Sequence, residues 1–246
     1  MKKLMNNIVA FCAICILSLI WVGCASEGPN EKPRQVEATP NFGVIHNEII
    51  DEIFHSLSAS TTRTSKMSKD EFMEDCINEA TETVVSKDPT LSRQETKKTI
   101  ANISMMPLEE IRLGMSDQDR QIIDSVANML SNDIDANIID DYIATRHLDE
   151  QKLQAAKAFC ETYQESLSYW NKCGVEWVEY IVQNVDVNVD VDEGVIGRWL
   201  DRISWKQVAF SDAYYGWYGM MSSGCNIYVG VGGAAAGSIF SALNQL

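Results

Sequence analysis

Proline disappears from this chain after Pro107: all five prolines lie at or before that position, so nothing in the C-terminal half forbids a helix. Basic residues are scarce as well. Lys and Arg number 20 against 35 Asp and Glu, a net charge of −15 with His neutral. That balance excludes nucleic acid as an expected partner, because Lys and Arg contacts to phosphate supply most of such binding. It also opposes adhesion to anionic lipid heads through a basic face. With three histidines in the whole chain, a three-His zinc site would need every one of them. Outside the N-terminal apolar run that holds Cys12 and Cys15 there is no Cys-x-x-Cys for a zinc ribbon or redox pair, and the chain has no Gly-x-Ser-x-Gly elbow for a hydrolase triad. No apolar run reaches the ~20 residues that a spanning helix needs. The sequence therefore identifies no reaction and implies no cofactor, and an enzyme is the least supported class.

What the chain does contain is helical period. Val44, Ile45, Ile49, Ile50, Ile53, Phe54 and Leu57 fall on one broad face, with Glu48, Asp51 and Glu52 opposite. Ser68 and Glu71 have the spacing of a capping box before Phe72, Met73, Cys76, Ile77, Ala80 and Val84, a helix that Pro89 ends. Ser92 and Glu95 repeat that spacing ahead of a helix running toward Pro107, and Ser116 can cap another that carries Ile122, Ile123, Val126 and Leu130. A longer stripe of Leu153, Ala156, Phe159, Cys160, Tyr163, Leu167 and Trp170 predicts a helix that Gly174 can end. The aromatic group that follows, Trp177, Tyr180, Trp199 and Trp205, is expected in the core, with a sugar-binding platform as the minority reading. The expected fold is all-α: a multi-helix bundle over residues 41–212 with a glycine-rich hydrophobic hairpin at 213–246 packed into it.

Three local patterns resemble sites and fail on inspection. Asp186, Asn188, Asp190 and Asp192 suggest a calcium loop, but the sixth and twelfth positions hold Val191 and Gly197 instead of Gly and Glu. Strict alternation with Val185, Val187, Val189 and Val191 predicts one short extended segment near 185–192. Glu52 and His55 have the Glu-x-x-His spacing of di-iron bundles without the second copy such a site requires. Gly230, Gly232 and Gly233 follow an apolar Ile227-Tyr228-Val229, yet a dinucleotide fold needs a further strand and an acidic residue about 20 positions on.

The N-terminus is more specific. Lys2 and Lys3 precede an apolar run from Ile8 to Val22 that closes in Trp21-Val22-Gly23-Cys24. A charged start, a short apolar stretch and a small residue before the cut mark an export signal. The ending resembles the lipobox of bacterial lipoproteins. That resemblance implies a signal peptide at 1–23, cleavage before Cys24, and a fatty acyl (palmitate-type) anchor on Cys24 that holds the protein to a membrane. By the same resemblance Ala25 permits sorting to the outer membrane of a Gram-negative cell envelope. Residues 24–40 carry Pro29, Pro33 and Pro40 among charges and read as a flexible tether reaching at most ~50 Å. Beyond it Cys76, Cys160, Cys173 and Cys225 remain, an even set compatible with two disulfides or with buried thiols.

From Ala213 to Leu246 there is no charged residue. Gly230, Gly233 and Gly237 give the second apolar stretch small residues suited to close helix packing. This tail resembles glycine-zipper segments of membrane-active bacterial peptides and C-terminal regions of helical bacterial proteins without an assigned role. Two function classes follow. In the first, the hairpin is core, and the protein is a non-enzymatic envelope lipoprotein that binds or scaffolds, meeting a protein partner on its acidic helical surface. In the second, the hairpin leaves the body and the protein is membrane-active or antibacterial.

Overall fold

The computed structural model describes residues 41–59, 65–187, 200, 203–224 and 226–245. Cys24, the tether, Cys225, Trp199 and residues 188–192 of the extended segment lie outside them. Within the described residues the protein is an all-α bundle of nine helices: α1 (Phe42–Ala59), α2 (Lys69–Lys87), α3 (Arg93–Ser104), α4 (Leu108–Gly114), α5 (Asp117–Ser131), α6 (Ala136–Ala144), α7 (Glu150–Asn184), α8 (Trp205–Ser222) and α9 (Ile227–Leu243).

Short polar side chains start most of these helices. Ser68 and Glu71 form the full reciprocal box at α2, each side chain serving the other's backbone N–H. Ser116, Asp135, Asp149, Ser204 and Asn226 accept a backbone N–H at the starts of α5, α6, α7, α8 and α9. Ser92 keeps the spacing of a box but makes no side-chain cap, and α3 stops at Ser104, short of Pro107. α5 ends in a Schellman turn. Asp133 takes φ of 54°, its N–H donates to the Leu130 carbonyl, and the Ile134 N–H donates to that of Met129.

Two helices organise the rest. α7, at 35 residues, extends about 52 Å and carries α1 and α8 along its length. α9 lies against α8, α3, α2 and α1 at once. It is buried almost without interruption from Val229 to Ile239, as a helix apolar on all sides must be. Such approach needs side chains to be absent at the contacts. A Cβ on Gly219 would stand 2.4 Å from the Gly230 carbonyl oxygen, so α8 and α9 meet backbone to backbone. Gly233 receives Ile103 of α3, and Gly237 receives the Tyr215 ring of α8. The three small residues thus serve three contacts in two directions, not one stripe. On α1 a Cβ on Gly43 would meet the Glu161 carbonyl at 2.2 Å, which sets how closely α1 approaches α7.

Gly174 does not end its helix. α7 runs on to Asn184, and the missing side chain makes room for the indole of Trp205, 2.6 Å from where a Cβ would be. Trp205 in turn stacks on Trp170 with ring centroids 5.4 Å apart. Trp170 and Trp177 are buried, as expected of core aromatics. Asp212 falls inside α8, so the first arm of the hairpin begins at Trp205 and takes in residues that precede the uncharged stretch. Of the alternating segment, Val185 pairs in parallel with Met67, whose carbonyl accepts the Asp186 N–H at 2.7 Å; Val185 and Val187 point inward. Cys76, Cys160 and Cys173 are free thiols. Burial pushes the Cys160 thiol up to about 12 and Cys76 well above its ordinary value, which leaves neither as a nucleophile.

The glycine contacts generate a paired prediction. Gly219→Ala should destabilise by about 1–3 kcal/mol or more, because the clash is with backbone that cannot rotate away. Gly114 has nothing within 4 Å of its Cβ position, so Gly114→Ala should stabilise by about 0.4–1 kcal/mol. Urea denaturation of both variants measures the contrast.

Candidate functional site

The chemically densest place in the molecule lies where α1, α7, α8 and α9 come together. Each helix contributes from its buried face. Thr162, Ser166 and Trp170 are spaced four apart on α7, and Val208, Asp212, Gly216 and Met220 are spaced four apart on α8. His46 sits between Phe42 and Ile50 on α1, and Ser238 lies near the end of α9. His46, Ser166, Asp212 and Ser238 are all 0% exposed.

Asp212 is the hub. Its Oδ2 accepts the Ser166 hydroxyl and, at 3.0 Å, the Trp170 indole N–H. The same indole N–H is shared with Ser238 Oγ at 3.0 Å. On the other side Asn47 donates its amide to the Glu165 carbonyl at 3.0 Å, which turns its own oxygen toward His46 Nδ1, 3.0 Å away. That orientation places the imidazole proton on Nδ1. His46 Nε2 then faces Asp212 Oδ2 at 3.9 Å, too far for a hydrogen bond. Neither Nε2 nor Asp212 Oδ1 has a hydrogen-bond partner.

Burial dominates both titrations. It pushes the Asp212 carboxyl up to about 7, against the opposing pull of Ser166, Ser238 and Trp170, which favour the anion. It pushes the His46 imidazole down to about 4, with the Asn47 contact working the other way.

Serine, histidine and aspartate therefore meet, but not as a hydrolytic triad. In a triad the imidazole stands between hydroxyl and carboxylate, and the serine opens to substrate. Here Ser166 bonds Asp212 directly, and all three groups are sealed. The hydrogen bonds between helices tie α7 to α8 through Ser166 and Trp170, α7 to α9 through Trp170 and Ser238, and α1 to α7 through Asn47.

Among the described residues two grooves indent the surface. One of 320 Å³ runs between α2, α3 and the end of α9, floored by Met73, Ile77, Ala101 and Phe240, with Met105 exposed at its edge and Asp70, Glu74 and Lys97 around it. The other, of 480 Å³, separates α6 from the start of α7. Ile143, Leu148 and Leu153 form its apolar side, and Asp140, Asp141, His147 and Lys157 its polar one. His147 holds a left-handed backbone with φ of 52° at that rim.

The residues singled out in the sequence are dispersed. Gly230, Gly233 and Gly237 lie in the core at separate contacts, while Glu52 and His55 are exposed on α1. Among the described residues no group of three His, Cys, Asp or Glu side chains is arranged to hold a metal ion. None of the described helices is long and apolar enough to cross a membrane. The chain matches no protein-family model, no curated protein and no solved structure.

Trp170→Phe removes the indole N–H from the polar cluster, along with part of the buried ring's volume. It leaves Asp212 and Ser238 each short of a donor in a dry interior, and should cost about 1–3 kcal/mol in chemical denaturation. A loss no larger than that of an exposed aromatic substitution would mean that the indole N–H is irrelevant to the fold.

Proposed function

We propose that the protein is a cell-envelope lipoprotein, held at a membrane by acyl chains on Cys24, whose helical body works by binding or scaffolding and not by catalysis. The observation that carries this reading over a membrane-active one is the burial of α9 on every side. Its apolar surface is already committed to α1, α2, α3 and α8, and insertion into a bilayer would require withdrawing it from all four. Withdrawal would also expose the Asp212 cluster, since Ser238 belongs to the same helix. The excess of acidic residues favours a protein partner that presents cationic groups, because complementary charge steers encounter and suppresses wrong partners. The two grooves offer the concave apolar surface on which such a partner can be seated. Lipid-anchored attachment fits the composition. A chain this acidic would be repelled by anionic headgroups, so acylation supplies the membrane affinity that no basic patch provides.

The expected outcome of metabolic labelling with an alkyne fatty acid is a labelled wild-type protein and an unlabelled Cys24→Ala variant. The same preparation should release no dye from liposomes. Labelling that survives Cys24→Ala would remove the anchor from this reading. Leakage that requires α9 would replace it with the membrane-active class.

A further inference from the structure

Four protonation states are open to the His46–Asp212 pair, and the geometry treats them unequally; a neutral acid beside an imidazolium would leave one buried cation uncompensated. Were both groups charged, the imidazolium would have to donate from Nε2 to Oδ2 across 3.9 Å, so two fully buried charges would be held without a hydrogen bond between them. Were the aspartate ionised beside a neutral imidazole, the bare lone pair of Nε2 would face an anion, and a single buried charge would stand uncompensated. A neutral acid beside a neutral base incurs neither penalty. Oδ2 already accepts from Ser166 and Trp170, which leaves Oδ1, the oxygen without a partner, to carry the proton.

We propose that folding moves one proton from His46 to Asp212, so that the ion pair carried by the unfolded chain becomes a neutral pair in the core. The bond from Nε2 to its proton breaks, the electron pair stays on the nitrogen, and a proton is gained at the Asp212 carboxyl. The total number of protons is unchanged.

The pKa directions agree with the geometry. In the unfolded chain, with ordinary values of 3.8 and 6.5, the aspartate is ionised and the histidine cationic throughout the interval between them. In the folded chain, with values of about 7 and about 4, the aspartic acid is neutral and the histidine neutral over nearly the same interval. Each shift arises from burial and not from the partner, so each should persist when the other group is removed. The nearest carboxylates of α7, Glu161 and Glu165, lie against Phe42 and Gly43 at the start of α1, and the side chains that hydrogen-bond the pair are uncharged. α7 presents Ser166 and Trp170, α9 presents Ser238, and α1 presents Asn47. The Tyr215 phenol of α8 feels Asp212 but is pushed up to about 12, mainly by burial, and stays protonated over this range.

The consequence is a core that buries an acid and a base yet contributes almost no pH dependence. A lone raised aspartate binds more protons folded than unfolded, so it makes stability fall as pH rises from 3.8 toward 7. A lone depressed histidine binds fewer protons folded, so it makes stability rise as pH climbs from about 4 to 6.5. Together the slopes cancel.

Two measurements on the full-length chain test this. In a His55→Gln/His147→Gln background His46 is the remaining histidine, and its ¹⁵N shifts at about pH 5.5 should report a neutral ring with the proton on Nδ1. An infrared difference spectrum against Asp212→Asn at that pH should show the carbonyl stretch of a protonated carboxyl. An imidazolium spectrum, or no such carbonyl band, would overturn the proposal in favour of a buried ion pair or a lone anion. Denaturation across the same acid range supplies the second test. Relative to the double variant His46→Gln/Asp212→Asn, wild type should show no pH trend. His46→Gln alone should lose up to about tenfold in its folding constant per unit rise in pH, and Asp212→Asn should gain as much. Parallel pH profiles for all four proteins would overturn it equally.

Discussion

A helix that is apolar around its whole circumference cannot sit at a surface, and α9 imposes that condition on everything else in the bundle. Four helices have to reach it, and the space available is set by what its residues leave out. Where Gly219 meets Gly230, two backbones touch; where Gly233 and Gly237 lie, Ile103 and Tyr215 enter. The arrangement of α1, α2, α3 and α8 is the solution to enclosing one helix with no polar face.

Enclosure on this scale would allow several registers if it rested on apolar contact alone. The polar cluster removes that freedom. Asp212 must find donors, and those it has come from one turn of α7, with Ser238 of α9 joined through the shared indole N–H. A shift of one residue along any of these helices would orphan a buried carboxyl, a penalty larger than most single apolar contacts repay. Specificity thus comes from a few polar atoms, and the bulk of the burial energy from Ile, Val, Ala and aromatic side chains.

Local signals in the sequence were strong where physics is local. The capping box at Ser68 and Glu71, the cap at Ser116 and the apolar periods of α1, α2, α5 and α7 all depend on neighbours within a turn or two, and each has its counterpart in the structure. Gly174 reads as a stop because glycine is costly inside a helix. Its reason, the Trp205 indole, comes from another helix and leaves no local trace. The site was missed for a similar reason. Asp212 is the last charged side chain of the sequence, and the uncharged stretch begins immediately after it. Its spacing from Val208, Gly216 and Met220 places it on the buried face, a signal that was available once α8 is started at Trp205. His46 stands between Phe42 and Ile50 on the buried face, whereas Val44, apolar and next to Ile45, is 44% exposed. That these two residues face each other across helices so distant in the chain is information that no period contains.

The order of the helices along the chain carries one more consequence. α9 follows every helix it joins, so as synthesis proceeds α1, α2 and α3 have only one another to pack on, and α1 meets α7 only after a separation of 119 residues at the Phe42–Glu161 contact. Early segments can form transient helices but cannot complete a core until the last element arrives. Closure of the core is therefore deferred until α9 has emerged, so the apolar faces that receive it stay uncovered up to that point in synthesis.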